Sequence, residues 1–316
     1  MACVLWAARY ESFGVDFRLF NNQITKYKGN SMFTADQVAH YNREGYVIYR
    51  DFLSQEELAA VHEEMDQISS GNTLADHDDT RMEMEPNQPP DSTLVRRIYE
   101  PCTYYDIFRA FSESPRLLDC VEQLFGPSLM FHYSKINMKP PGIGSPVEWH
   151  QDLSYYPLTN RDSVSILFYL DDASIENGCL QVLPRRHTDP LLSHSTEGFF
   201  RGKVTASVDD SDAVTLEGNA GTVIFMSCLT PHASMTNTSD KARRTLILSY
   251  RAADAYPIHC GVMSNLVETH SRIVRGERSA VARFTMTEFP IPQYENQIAS
   301  LYDLQERSRE DEKENG

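Results

Sequence analysis

SVSILFYLD, residues 163–171, is a short apolar run that stops on an acid, and GTVIFMSC (221–228) and RTLILSYRA (244–252) are apolar runs of similar length. These runs are eight or nine residues long, rich in β-branched and aromatic side chains, and bounded by the turn clusters DDASIENG, EGNAG and TNTSD. Length and flanks together favour buried strands over helix segments. Outward from this centre, LMFHYSKINMK (129–139) and CLQVLP (179–184) read as further strands, with PPGIG and DDSDA as turns. The region contains no internal repeat and no long helical period.

The first third of the chain reads differently. In FTADQVAHYNREG, Thr34 and Gln37 have capping-box spacing and Gly45 closes the segment, which predicts a short helix. YVIYRDF (46–52) predicts a strand. Ser54 and Glu57 repeat the capping box beside Leu53, and Leu58, Val61, Met65 and Ile68 follow at helical spacing. PRLLDCVEQLFG (115–126) predicts another helix, while the polar, proline-bearing stretch 71–92 predicts a loop. Helices followed by an antiparallel β run imply a mainly β fold with flanking α, a sandwich or jelly roll with the N-terminal helices outside. The expected organisation is an extension over 1–31, one domain over 32–303 and a charged, frayed tail over 304–316.

The 316 residues carry 45 acidic against 29 basic side chains, a formal charge of −16. Such a surface disfavours nucleic acid and anionic lipid, and a small anionic substrate would need a local basic pocket. The six cysteines form no CxxC pair and several sit in apolar runs, which fits reduced thiols in a cytoplasmic protein. The opening MACVLWAARYESF is a poor signal peptide, and no run has the length of a membrane span. The expected partner is therefore a small-molecule substrate, with no nucleic acid and no membrane. Oligomeric state cannot be read from these features.

Chemistry concentrates in VEWHQDLSYYP (147–157). On an extended segment His150 and Asp152 share a face, with Gln151 turned away. A bare H-x-D pair is weak evidence, since His187-Thr188-Asp189 supplies a second one. A third ligand is available in His232, directly after the 221–228 strand. Two imidazoles and one carboxylate leave coordination positions open on an octahedral iron(II) ion, whereas structural zinc takes four protein ligands. If 2-oxoglutarate is the co-substrate, its far carboxylate needs a buried cation, and arginine matches a carboxylate bidentately. Arg243 and Arg244 follow His232 by eleven and twelve residues, and one of the two must face inward. Ser234 shares the face of His232 and could donate to the same carboxylate.

These residues resemble the phytanoyl-CoA dioxygenase family of iron(II)/2-oxoglutarate oxygenases, over about residues 33 to 258. The similarity is carried by FTADQVAHYNREGYVIYRDFLSQEEL, INMKPPGIGSPVEWHQDLSYYP, ENGCLQVLPRRH and PHASMTNTSDKARR. It implies a double-stranded β-helix, a cupin-like jelly roll. It also implies iron(II) on His150, Asp152 and His232, with 2-oxoglutarate on Arg243 and Ser234 and Lys135 as a further contact. Dioxygen is then the second co-substrate and ascorbate the reductant. The implied activity is oxidative decarboxylation of 2-oxoglutarate coupled to hydroxylation or a related C–H oxidation, with Tyr133, Gln151, Tyr155 and Tyr156 near the substrate. PRRH stands where the family commonly has PGSH. Two other readings use the same residues: a cupin-like metal-dependent isomerase or hydrolase, and a non-catalytic 2-oxoglutarate-binding regulatory protein.

Overall fold

A computed structural model describes residues 32–86, 88–258, 270–294, 304, 305 and 307. The expected extension over 1–31 lies outside the described residues. The chain opens with helix α1 (Ala35–Glu44), strand β1 (Tyr46–Tyr49) and helix α2 (Gln55–Ser69). Both capping boxes form: Thr34 with Gln37, and Ser54 with Glu57. The predicted strand 46–52 ends at Tyr49 because the chain turns through Asp51 at φ +52°. The stretch 71–92 is not wholly loop, since β2 (Met82–Met84) pairs there with β3 (Val95–Tyr99). Helices α3 (Pro101–Tyr104), α4 (Asp106–Ser112) and α5 (Pro115–Phe125) follow, the last capped by Ser114.

The strand series then runs as β4 (Leu129–Lys139), β5 (Val147–His150), β6 (Ser163–Tyr169), β7 (Leu180–Val182), β8 (Ser195–Thr196) and β9 (Phe199–Phe200). It continues as β10 (Val214–Leu216), β11 (Val223–Ser227), β12 (His232–Ser234), β13 (Arg243–Ala252) and β14 (Arg272–Arg275). Among the described residues, a large antiparallel sheet has the order β1-β11-β6-β13-β4-β3-β2, with β14 also on β4. A smaller sheet has the order β10-β7-β12-β5. The pairing is that of a jelly roll.

Strand alternation divides the large sheet into two working faces. Val164, Ile166, Phe168, Val223, Phe225, Leu246 and Leu248 point outward and bury against Leu58, Val61, Met65, Phe108 and Leu117 of the helices. At roughly 25 cal/mol per Å² of apolar surface, that contact is the main reason the helices stay docked. Leu167, Tyr169, Ile224, Met226 and Ile247 point inward, against Leu180, Val182 and Leu216 of the small sheet. The inward face toward the other end carries polar groups, and the site forms there.

Candidate metal centre

His150, Asp152 and His232 converge. Each offers one ligand atom, and the three atoms lie within 4.8 Å of one another. His150 ends β5 and His232 begins β12, paired directly across the small sheet with ring centroids 4.0 Å apart. Asp152 does not stand on the strand as simple alternation predicts. The strand stops at His150 and Asp152 opens a 3₁₀ turn, Asp152–Ser154, which swings its carboxylate back toward both imidazoles. Its Oδ1 lies 3.6 Å from His150 Nε2 and 3.8 Å from His232 Nε2.

Backbone carbonyls fix both tautomers. His150 Nδ1 donates to the Glu148 carbonyl (2.8 Å) and His232 Nδ1 to the Thr230 carbonyl (3.0 Å). A carbonyl can only accept, so Nδ1 holds the proton and the Nε2 lone pairs face Asp152. Burial, with His150 beside it, pushes the His232 imidazole down to about 3, which keeps that lone pair available. Burial alone would raise Asp152. The two imidazoles and Lys135 outweigh it and hold the carboxyl well below the usual range, as a ligand must be. Ser165 on β6 donates to Asp152 Oδ2, leaving Oδ1 for a metal.

Helix α1 seats the connection between β11 and β12. Gly45, its left-handed cap at φ +85°, accepts from Ser227 N (2.9 Å) and Thr230 Oγ1 (2.8 Å). A Cβ at position 45 would fall 2.5 Å from Thr230 Oγ1 and 2.6 Å from His187 Nδ1. The second H-x-D is thereby explained without a metal: His187 Nε2 contacts the Asn42 carbonyl (3.2 Å), and Asp189 pairs with Arg186 at the surface (3.7 Å).

The two arginines separate cleanly. Arg243 is buried on the inward face of β13, opposite Lys139, and donates to Thr245 Oγ1 (2.6 Å) and the Gly178 carbonyl (2.6 Å). Arg244 faces the other way and grips Asp171 through Nε (2.9 Å) and Nη2 (2.7 Å). Gly178 must be glycine at φ +76°, since a Cβ there would stand 2.2 Å from the Met235 carbonyl oxygen. Ser234 is buried two residues after His232, and its carbonyl accepts from Lys139 Nζ (3.3 Å).

The remaining sequence candidates fall around this centre. Tyr155 meets the His150 ring edge-on at 5.8 Å, and its hydroxyl donates to the Gly202 carbonyl. Tyr156 donates to Cys228 Sγ (3.2 Å) and lies 5.5 Å from the Tyr133 ring. Lys135 and Tyr133 share the inward face of β4, with Lys135 Nζ 5.6 Å from the Tyr133 centroid. The Gln151 side chain is turned away from the ligands, donating to the Leu229 carbonyl (2.6 Å) and accepting from Leu192 N (2.9 Å). His194, Ser165 and Arg97 escaped the sequence reading. His194 accepts the Gln151 N–H (3.0 Å) and so steadies the ligand segment. Leu304 and Gln305, read as the start of a frayed tail, are buried; Gln305 accepts the Glu148 N–H (3.1 Å) and donates to Gly202.

A jelly roll with an open two-histidine, one-carboxylate set beside an inward arginine is the arrangement an iron(II)/2-oxoglutarate oxygenase requires. Residues 41–245 match the family model described as Phytanoyl-CoA dioxygenase (PhyH). The chain belongs to that family. It is 32% identical over 265 residues, 81% of this chain and 91% of the other, to a probable alpha-ketoglutarate-dependent hypophosphite dioxygenase of Stutzerimonas stutzeri. It is 28% identical over 223 residues, 71% of this chain and 82% of the other, to a methylphosphonate hydroxylase of Gimesia maris. Among solved structures, EctD from S. alaskensis with 2-oxoglutarate and 5-hydroxyectoine superposes at a TM-score of 0.57, with 26% identity over 71% of this chain and 78% of that one. The enzyme is thus an oxidoreductase that uses iron(II), 2-oxoglutarate and dioxygen to hydroxylate, or otherwise oxidise, a small molecule. An isomerase, hydrolase or purely regulatory role is not favoured. Among the described residues, no helix is long and apolar enough to cross a membrane.

Proposed function

We propose that His150, Asp152 and His232 bind the iron, that Arg243 with Ser234 anchors the distal carboxylate of 2-oxoglutarate, and that the substrate is small and polar. The observation that carries this reading is the convergence of three buried ligand atoms within 4.8 Å, with both Nε2 atoms unprotonated by virtue of their carbonyl partners. The donor set fits an octahedral divalent ion with positions left for a chelating keto acid and for dioxygen. When bound, the iron supplies dioxygen activation coupled to decarboxylation of 2-oxoglutarate to succinate.

The protein's own groups set the geometry. Ser165 and the Glu148 and Thr230 carbonyls hold the three ligands in orientation. Tyr133, Tyr155 and Tyr156 enclose the space beside them and restrict water there. Hypophosphite and methylphosphonate, named for the two relatives, are small and polar, which supports the same size class here. We place the catalytic unit at 32–303, with Leu304 and Gln305 packed onto it, and the enzyme in the cytoplasm, where its buried free thiols Cys102, Cys120, Cys179 and Cys228 stay reduced.

The test is succinate release from anaerobically purified, iron-loaded protein on admission of oxygen, with and without a panel of small polar substrates. Substrate-stimulated release in the wild type and none in Asp152→Ala supports the reading. Undiminished release in that variant overturns it.

A further inference from the structure

In a chain of formal charge −16, the space between the two sheets collects cations. Arg97 stands opposite Asn137, Tyr99 opposite Lys135, and Arg243 opposite Lys139, all in neighbouring strands of one sheet. Arg96 is buried beside Arg97. Most of these charges have visible uses. Glu83 and Glu85 answer the two adjacent arginines, at 3.3 and 3.6 Å from Arg96 and 4.0 Å from Arg97. Lys139 donates to the carbonyls of Ser145, Ser234 and Met235, three acceptors that call for the three N–H groups of an ammonium. Arg243 stands at the same end and meets the distal carboxylate of the co-substrate.

Lys135 is different. It is half-buried, and among the described residues its Nζ makes no hydrogen bond or ion pair beyond its approach to the Tyr133 ring. Its electrostatic neighbours are Arg97 and the carboxyl groups of Asp152 and Glu100, and burial together with Arg97 pushes it down to about 8. Across β13, Ser249 lies between Tyr133 and Ser165, the donor to Asp152, so Lys135, two residues from Tyr133 on the same face, stands beside the candidate ligands. The Lys135 ammonium, on the inward face of β4, keeps its N–H donors without an acceptor among the described residues. An anion entering the space beside it would supply the acceptor and a charge-assisted hydrogen bond.

We propose that the primary substrate carries a compact anionic head group, a carboxylate or a phosphorus oxyanion, engaged by Lys135 with Arg97 beside it. This deepens, and rests on, the iron and 2-oxoglutarate reading above. It also assigns Lys135 to the substrate and not to the co-substrate, whose two ends are met by the metal and by Arg243. The local basic pocket that an acidic protein needs for a small anion is then supplied by residues of β3 and β4.

The test uses full-length protein loaded anaerobically with iron(II) and 2-oxoglutarate, whose visible charge-transfer absorption shifts when substrate binds near the metal. Propionate, methylphosphonate and the neutral isostere propionamide are titrated in turn. The expected result is that at least one anion binds about tenfold or more tighter than propionamide. Lys135→Met and Arg97→Gln should each weaken that anion by about tenfold or more, while Lys135→Met keeps its 2-oxoglutarate affinity within about threefold. Binding of propionate alone marks a carboxylate substrate, and of methylphosphonate alone a phosphorus oxyanion. Neither anion outbinding propionamide, or both variants retaining wild-type anion affinity, overturns the proposal. So does Lys135→Met losing 2-oxoglutarate in place of the anion. Absence of the charge-transfer band before any substrate is added is a separate outcome, which overturns the iron reading and this inference with it.

Discussion

Replacing Arg243 by methionine tests the co-substrate anchor, with Arg244→Met as its neighbour control. Arg243 is buried, donates to Thr245 Oγ1 and the Gly178 carbonyl, and presents its charge inward. Removing one partner of a buried, hydrogen-bonded charge pair costs about 3–5 kcal/mol, because the other charge is left unpaired out of water. For 2-oxoglutarate that is a Kd raised between about a hundredfold and a few thousandfold. Arg243→Lys keeps the charge but loses the two-pronged geometry and should recover part of the loss. Arg244 instead pairs with Asp171 at the rim, with side chains 24% and 18% exposed, so its removal should cost about 1 kcal/mol of stability and lower Tm by about 2 °C. Its 2-oxoglutarate affinity should not change. Calorimetric titration of 2-oxoglutarate into the manganese(II)-loaded variants reads the affinity, and thermal unfolding reads the stability. If Arg243→Met binds within about threefold of wild type, or if Arg244→Met is the variant that fails, the assignment of the inward arginine is wrong.

Three further outcomes follow from the same geometry. Ser165→Ala removes the donor to Asp152 Oδ2 and should weaken metal binding by about 10–100-fold in a manganese(II) titration, with unfolding little changed. Gly178→Ala should raise the Kd of 2-oxoglutarate, because the new Cβ displaces either the Met235 carbonyl or the Gly178 carbonyl that holds Arg243; unchanged affinity would show that this turn is not critical. His132 is pushed down to about 3, first by burial and then by Arg251, whose Nε donates to its Nδ1 at 3.3 Å. Its folded value lies below the usual 6.5, so the unfolded chain binds the proton more readily. Stability is therefore intact above pH 6.5 and lost as pH falls toward 3, by about 1.4 kcal/mol per pH unit from this group, and urea midpoints from pH 7 to 4 should be shallower in His132→Gln.

Where local chemistry set the structure, the sequence was readable. Thr34, Gln37, Ser54 and Glu57 satisfy their own helix ends, so the two N-terminal helices need no distant contact to declare themselves. The apolar runs at 129–139, 163–171 and 244–252 stand within two residues of the observed strands, because burial on the sheet's outer face demands unbroken apolar alternation. Val95–Tyr99 was missed for the opposite reason. Arg96 and Arg97 look like surface, and partners brought from elsewhere in the chain, among them Glu83, Glu85, Asn137 and Ser145, make them interior. Asp152 reaches the two imidazoles by a turn that alternation does not foresee, and Ser165 becomes a partner of that carboxylate through pairing of distant segments. Contacts made in space and not along the chain are what one sequence conceals.

The central claim is that three side chains, 82 residues apart at their extremes, share one iron ion. Crystals grown anaerobically with iron(II) and 2-oxoglutarate, measured on both sides of the iron absorption edge, address it directly. A single anomalous peak within coordination distance of His150 Nε2, His232 Nε2 and an Asp152 carboxylate oxygen is the predicted result. A peak elsewhere, or one that leaves any of the three unbound, would contradict the account.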